Sequence, residues 1–490
     1  MSELLDGFLP TQRLQELHNL LSYPTWLLKA LSKLIIRVMN FAGFEIGFRI
    51  PESLRSIPPS DWDILVTIEK LKRHGLLQEL NRNKSFPDDP NLYRYQAKSF
   101  GLAVGNGAGF DFFSSGRALR AAIGELVERY ALLHFQPTRV ERRSYAAQKR
   151  RTFDLNQLAG ISPIDRQKSE KLIFSDESIF EWVTAWSLPN NSAKQVPLQL
   201  IRLLQDRSVE SKVEPLLRPV VTTGAAAHIS LEQAQLGGTY ELLERDALMI
   251  TWMNRLKPKR IKLESVSSDR IQELHKKFIR YRLELRCLLL PTDFSVHVVV
   301  AIIIDTTNIG PHMVVASSAG TNLIEVLEKA ITEAHACRLY LRFMLKSQEV
   351  KSSPSHNTQT SIKLTRVGRL KYWSDPHNFQ KAQFLFEGDE ILFNECPQYE
   401  SGNLSVHRQL EALVSHFRKL NIELLCVELL PRHLQKALGH TAVMMFSPQL
   451  QPMHLDETLP YNWGARLDSV PITLGFQPLK EKNGDPHPFP

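Results

Sequence analysis

A chain of 490 residues that is 43% hydrophobic and 23% charged has the balance of an ordinary globular protein, which excludes a disordered or membrane-embedded class. Its length admits one large core or about three domains, at roughly 150 residues per domain. The net charge of +8, from 60 Lys and Arg against 52 Asp and Glu, is too thin a surplus to argue for a polyanionic partner, and neither nucleic acid nor membrane is expected.

The chain opens without a charged segment followed by an apolar run, so export is not expected. Pro24 to Met39 sets Leu27, Leu28, Leu31, Leu34, Ile35 and Val38 at helical spacing and predicts an amphipathic helix, in which Lys29, Lys33 and Arg37 interrupt any membrane span. Residues 1–92 read as a mainly helical N-terminal region ending in a polar, proline-bearing linker, Asn81 to Pro90. From about residue 93 small-residue strands or turns feed into helices, broken by polar loops at 186–196 and 346–360. This second domain, 93–490, reads as α/β. The basic group Arg255, Lys257, Lys259, Arg260 and Lys262, broken by Pro258, reads as a solvated edge. Cys287, Cys337, Cys396 and Cys426 form no CxxC pair and read as buried thiols of a reducing cytoplasm.

The α/β region repeats itself. Ala118 to Ala131 and Ala234 to Ala247 share the pattern E-L-x-E-R with an apolar flank, 116 residues apart. Each copy follows a small-residue segment, VGNGAG at 104–109 and TTGAAA at 222–227, as expected for a turn leading into a helix. A fainter third copy is ASSAG at 316–320 followed by a helix with Ala330, Glu333 and Arg338. The pattern predicts repeated strand-turn-helix units around a shared centre.

In each E-L-x-E-R helix the glutamates stand three residues apart and so share a face. Glu and Arg are also ordinary residues of a wet helix face. Duplication, apolar flanks and small-residue approaches shift the reading toward compensated carboxylates, and a convergence of four suits a hard cation such as Mg²⁺ with a nucleotide. GNGAG at 105–109 is neither GxxxxGK[ST] nor a full GxGxxG and alone is only a flexible turn. No protease triad, HExxH helix or cysteine-metal array is present.

The segments GRALRAAIGELVERYA at 116–131, TTGAAAHISLEQAQLGGTYELLERDALMITWMNRL at 222–256, AITEAHACR at 330–338 and SPQLQPMH at 447–454 together resemble the YcaO family in order and spacing. The resemblance implies an α/β fold whose paired helices hold Mg²⁺ and ATP. It makes Glu125, Glu128, Glu241 and Glu244 the expected metal ligands, Arg129 and Arg245 phosphate or supporting groups, and Gln233, Glu333 and Arg338 further cofactor-binding candidates. Departures stand at Asn106, where many members carry Lys, at Ile229 and Gln233, where Asn and Glu are common, and at His335, where Gln is usual.

The chain ends Pro486-His-Pro488-Phe-Pro490, which looks like the PxPxP terminus of azoline-forming members. The resemblance therefore implies ATP-dependent closure of Cys, Ser or Thr onto the preceding amide of a ribosomally made precursor peptide. The oxyanion of the adduct takes the γ-phosphate of ATP, and phosphate departs to leave thiazoline or oxazoline. The terminal carboxylate of Pro490 is the expected catalytic group at the reacting amide. Residues 1–92 are short for a leader-binding domain, so the expected partners are a separate protein resembling ubiquitin-activating enzymes and a flavin-dependent azoline dehydrogenase. The alternatives are thioamide or amidine formation on a peptide and a degenerate scaffold.

Overall fold

The computed structural model describes residues 63–99, 105–203, 214–219, 221–307, 310–346 and 366–489. The helix expected at Pro24 to Met39, nearly all of the loop expected at 346–360 and Pro490 lie outside them. The described residues fall into two compact units, one of 63–84, 92–129 and 433–439, the other of 85–91, 130–432 and 440–489.

In the first unit α1 (Asp63–Arg73) buries Ile64, Ile68 and Leu71, a single stripe at helical spacing. Gly75, at φ +70°, turns the chain out of the helix, and Leu76 N–H donates back to Leu71 O at 2.9 Å. β1 (Glu79–Asn83) pairs antiparallel with β2 (Tyr93–Lys98), and β2 with β3 (Gly107–Asp111), giving a three-stranded sheet. The domain boundary read at residue 92 thus falls between two paired strands, and the first residues of the expected linker are strand. The sequence ELNRN hides this because an edge strand exposed on both faces shows no apolar alternation. α2 (Ser115–Leu133) follows β3.

The second unit contains β4 (Glu141–Ser144), β5 (Ile179–Ser187), β6 (Ser192–Pro197), β7 (Ala225–His228), α3 (Leu231–Met253), β8 (Lys259–Ile261) and α4 (Asp269–Arg280). It continues through β9 (Leu283–Leu289), β10 (His297–Asp305), β11 (Met313–Gly320), α5 (Leu323–Lys346), α6 (Arg366–Ser374) and β12 (Glu390–Ile391). α7 (Val406–Lys419), β13 (Leu425–Glu428), β14 (Thr441–Phe446) and α8 (Arg466–Thr473) complete it. One sheet runs β4-β5-β13-β14-β7 with β6 beside β5, the other β11-β10-β9-β8-β12. The polar stretch 186–196, read as a loop, is largely a hairpin in which Ser187 pairs with Ser192 and Asn191 takes φ +49°.

All nine residues of β10, HVVVAIIID, are buried, as a central strand covered on both faces requires. α3 is buried on most sides and touches β7 and β14 of one sheet and β10 and β11 of the other, so it lies between the sheets. Trp252 near its end packs against Trp373, Phe384 and Phe489. The basic group at 255–262 is matched by carboxylates: Arg255 with Asp485, Lys257 with Glu387, and Arg260 with Glu390. Cys287, Cys396 and Cys426 are buried free thiols and Cys337 is half-buried.

Candidate functional site

The first copy of the repeat lies in the first unit. Gly107 and Gly109 of β3 lie against the backbone of α2: a Cβ on Gly109 would stand 1.9 Å from Ala118 O, and one on Gly107 2.2 Å from Ala122 O. GNGAG is therefore largely a strand pressed onto a helix, and its glycines are there for that approach, which corrects the reading of a flexible turn. The contact brings Ala108 N–H to Glu125 Oε2 at 2.7 Å. Arg129 Nη2 donates to Glu125 Oε1 at 3.1 Å, and Glu128 stands 3.9 Å from Arg129 Nε. Asn106 Oδ1 accepts from Ser99 N–H at 3.1 Å.

The second copy, in the second unit, repeats this geometry. Gly224 N–H donates to Glu241 Oε2 at 3.1 Å, and both partners are displaced by 116 residues from Ala108 and Glu125. Gly224 sits at φ +91°, with Met445 O 2.1 Å from where a Cβ would be, and a Cβ on Gly238 of α3 would stand 2.5 Å from Gly224 O. The backbone amide that orients Glu241 is thus held by two positions that admit only hydrogen. Ser317 Oγ of β11 donates to Glu244 Oε1 at 2.6 Å, which ties the faint third copy to the second. Arg245 lies 3.5 Å from Glu244 and 3.8 Å from Glu241.

Burial pushes the Glu241 carboxyl up from its ordinary range and Glu244 adds to this, while Arg245, the Gly224 N–H and Lys329 oppose it. A carboxylate that its surroundings disfavour as an anion gains from a cation set against it, so the Glu241 and Glu244 pair fits a divalent ion bound with phosphate oxygens.

The remaining candidates are engaged elsewhere in the second unit. Gln233 Oε1 accepts from Ser230 Oγ at 2.9 Å and Gln233 N–H donates to the same hydroxyl, a cap for α3 legible as Ser-x-x-Gln. Glu333 is half-buried on α5. Arg338 is 2% exposed and paired with Asp305 at 2.7 Å and Asp89 at 3.1 Å, and Asp89 also takes Arg342. His335 Nε2 bonds Pro90 O at 2.8 Å, and the Ile229 side chain is exposed.

Sequence reasoning missed two groups. Asp246, directly after the motif arginine, accepts from Arg466 at 2.7 Å and from Gln451 N–H at 2.7 Å, and Arg466 also takes Asp293. Arg218 lines a cavity with Thr223, Leu242, Arg245, Ser447 and Gln451, and burial holds its guanidinium down to about 10. An acidic residue inside the apolar run 246–250 was the available signal for the first. Arg218, in a proline-bearing loop, offered none.

The described part of the tail is packed. His487 and Phe489 are 0% and 1% exposed, with Phe489 against Trp252 and Arg369 Nη1 donating to His487 O at 2.9 Å. His487 lies within electrostatic reach of Arg245, whose neighbour Met453 is 4.0 Å away.

Among the described residues no helix is long and apolar enough to cross a membrane. No curated protein matches the sequence. Among solved structures the fold is similar to a heterocyclase in complex with substrate and cofactor, at TM-score 0.69 and 19% identity over 86% of this chain; the chain spans only 57% of that protein's length. It is also similar to YcaO from Methanopyrus kandleri bound with AMPPCP and Mg²⁺, at TM-score 0.56 and 17% identity over 83% of this chain and 94% of that one. A third is the E. coli microcin synthetase McbBCD complex, at TM-score 0.52 and 14% identity over 76% and 87%. The family model for YcaO cyclodehydratase, ATP- and Mg²⁺-binding, matches residues 111–451. That span holds both E-L-x-E-R helices, and the chain belongs to the YcaO family, with ATP and Mg²⁺ as its cofactors.

Proposed function

We propose that the chain closes Cys, Ser or Thr side chains of a ribosomally made precursor peptide onto the preceding backbone carbonyl, giving thiazolines or oxazolines. The observation that carries this reading within the family is the tail: His487 and Phe489 are buried, Phe489 against Trp252 and His487 held by Arg369, instead of trailing into solvent. Extended, proline-rich chain gives up little conformational entropy on such insertion. Pro490 is the residue assigned to the reacting amide, to orient the attacking side chain or accept its proton.

Glu125, Glu128, Glu241 and Glu244 are the residues that hold Mg²⁺ and, through it, the triphosphate. Ala108 and Gly224 N–H and the Ser317 hydroxyl orient three of these carboxylates in advance. Arg129 and Arg245 moderate their mutual repulsion and offer guanidinium to phosphate. Gln233 at the start of α3 and Glu333 and Arg338 on α5 are further cofactor-binding residues, and Gln233 and Arg338 also brace those helices. When bound, ATP supplies the phosphoryl group that makes the amide oxygen a leaving group. Leader recognition is assigned to a partner protein resembling ubiquitin-activating enzymes, and oxidation to azoles to a flavin-dependent dehydrogenase. That one structural neighbour is a synthetase complex with pro-MccB17 bound supports such an assembly.

The test combines purified chain, Cys-rich precursor, its leader-binding partner and Mg²⁺-ATP. The expected result is phosphate release with loss of one water mass per ring, abolished by Glu241→Gln and strongly reduced by deleting Pro486 to Pro490. Exchange of oxygen for sulfur in the product, or no mass change at all, overturns the azoline reading.

A further inference from the structure

Among the described residues one group of three side chains has metal-binding atoms close together: His454, Glu457 and His487, whose ligand atoms lie within 4.8 Å of one another. We propose that this trio binds a single Zn²⁺ ion, which staples the C-terminal segment to the 447–457 segment. The proposal uses no part of the peptide-cyclising reading.

The two histidines are prepared as ligands. His487 Nε2 lies 2.6 Å from His454 O, and since a carbonyl only accepts, Nε2 carries the proton and Nδ1 the lone pair. A backbone carbonyl holding the distal N–H is the usual way a protein fixes the tautomer of a ligating imidazole. His454 and His487 are 4% and 0% exposed, and the Nδ1 of each lacks a hydrogen-bond partner among the described residues. Two buried ring nitrogens without partners among the described residues, on rings that meet edge to face with centroids 5.2 Å apart, point to an absent electrophile beside them.

Glu457 supplies the anionic donor. Arg369 pairs with its Oε1 and, through Nη1, with His487 O, so one guanidinium braces both the carboxylate and the tail residue. Two imidazoles and one carboxylate form a donor set suited to Zn²⁺, with water in the fourth position; Mg²⁺ and Ca²⁺ prefer all-oxygen surroundings. Zn–N bonds of about 2.0–2.1 Å put tetrahedral ligands about 3.4 Å apart, so a trio spread over as much as 4.8 Å must close by up to about 1.4 Å. Residues 455–459 are half-buried or exposed, which gives the loop room for that movement and the ion a way in.

The experiment measures zinc in the full-length chain purified without chelator, then titrates metal-free protein with Zn²⁺ against a competing chelator. Expected are about one Zn²⁺ per chain, tetrahedral Co²⁺ absorption after substitution, and at least about 100-fold weaker binding in His454→Gln and His487→Gln, because loss of an outer partner alone weakens such sites 10–100-fold. Glu241→Gln should keep the full zinc content, so failure at one site is distinguishable from failure at the other. Chelation should also speed carboxypeptidase trimming of the wild-type tail, a readout that holds if either Gln variant misfolds. Folded wild-type protein that takes up no Zn²⁺ from micromolar solution, or trimming indifferent to chelator, overturns the proposal, as do folded Gln variants with wild-type affinity.

Discussion

Gly237 and Gly238 are neighbours in α3, yet alanine at each should move stability in opposite directions. In a helix interior alanine is favoured over glycine by about 0.8–1.0 kcal/mol. At Gly237 the new methyl meets only Ala226 Cβ at 3.7 Å, an ordinary contact, so Gly237→Ala should stabilise by about 0.5–1 kcal/mol. At Gly238 it would stand 2.5 Å from Gly224 O and 2.7 Å from Met445 Cγ. Gly224 O already accepts from Met445 N–H at 2.8 Å, so it cannot retreat without loosening that contact between the start of β7 and β14. Overpacking against such a neighbour costs about 3 kcal/mol, the upper end of the usual range, leaving Gly238→Ala about 2 kcal/mol less stable than the parent. Urea unfolding followed by tryptophan fluorescence should separate the two variants by about 3 kcal/mol. Because the same movement displaces the amide that orients Glu241, Gly238→Ala should also weaken Mg²⁺-ATP binding while Gly237→Ala leaves it unchanged. Equal shifts in the two variants, or a Gly238→Ala protein as stable as the parent, would refute the reasoning.

The raised carboxyl of Glu241 means that its ionised form opposes folding, a penalty fully present above the raised value and relieved as pH falls toward the ordinary carboxyl range. In Mg²⁺-free buffer at pH 8, Glu241→Gln should therefore melt no lower than the parent. Mg²⁺-nucleotide affinity, measured by calorimetry between pH 8 and 5, should fall as Glu241 takes up its proton. Arg466→Ala strands Asp246 and Asp293 and should destabilise by about 3–5 kcal/mol in chemical denaturation. Gly109→Ala places a methyl 1.9 Å from Ala118 O and should shift the unfolding midpoint at least as far as Gly238→Ala does.

The repeat carried most of what could be read in advance. Two short matches 116 residues apart identified the helices, and each first glutamate proved to be hooked to a backbone amide at the same offset. The glycines of GNGAG were visible but their purpose was not, because a close approach between strand and helix depends on a partner 9 or 15 residues away and leaves no local signature. β1 escaped notice because it is an exposed edge, and Arg218 because its value lies in the cavity it faces. Gln233 and Arg338 carried the right residue types, yet their partners, Ser230 at the helix cap and the carboxylates Asp89 and Asp305, give them structural work that spacing could not reveal. Pro490 lies outside the described residues.

The C-terminal half of α3, Ala247 to Met253, is apolar but for Thr251 and buried around its whole circumference, so burial alone would accept it at several angles about its own axis. A turn of one residue, about 100°, would carry Glu241 and Glu244 off their face while changing little buried area. The buried Asp246, gripped by Arg466 and by Gln451 N–H, admits one angle only, since any other would drag a carboxylate into the apolar layer. The ion pair thus works as a key in a shaft: its value lies in choosing an orientation more than in adding stability. An apolar replacement of the whole network, Asp246→Leu and Arg466→Met with Asp293→Leu, would release that choice, and a chain could then remain well folded while its two carboxylates lost their aim.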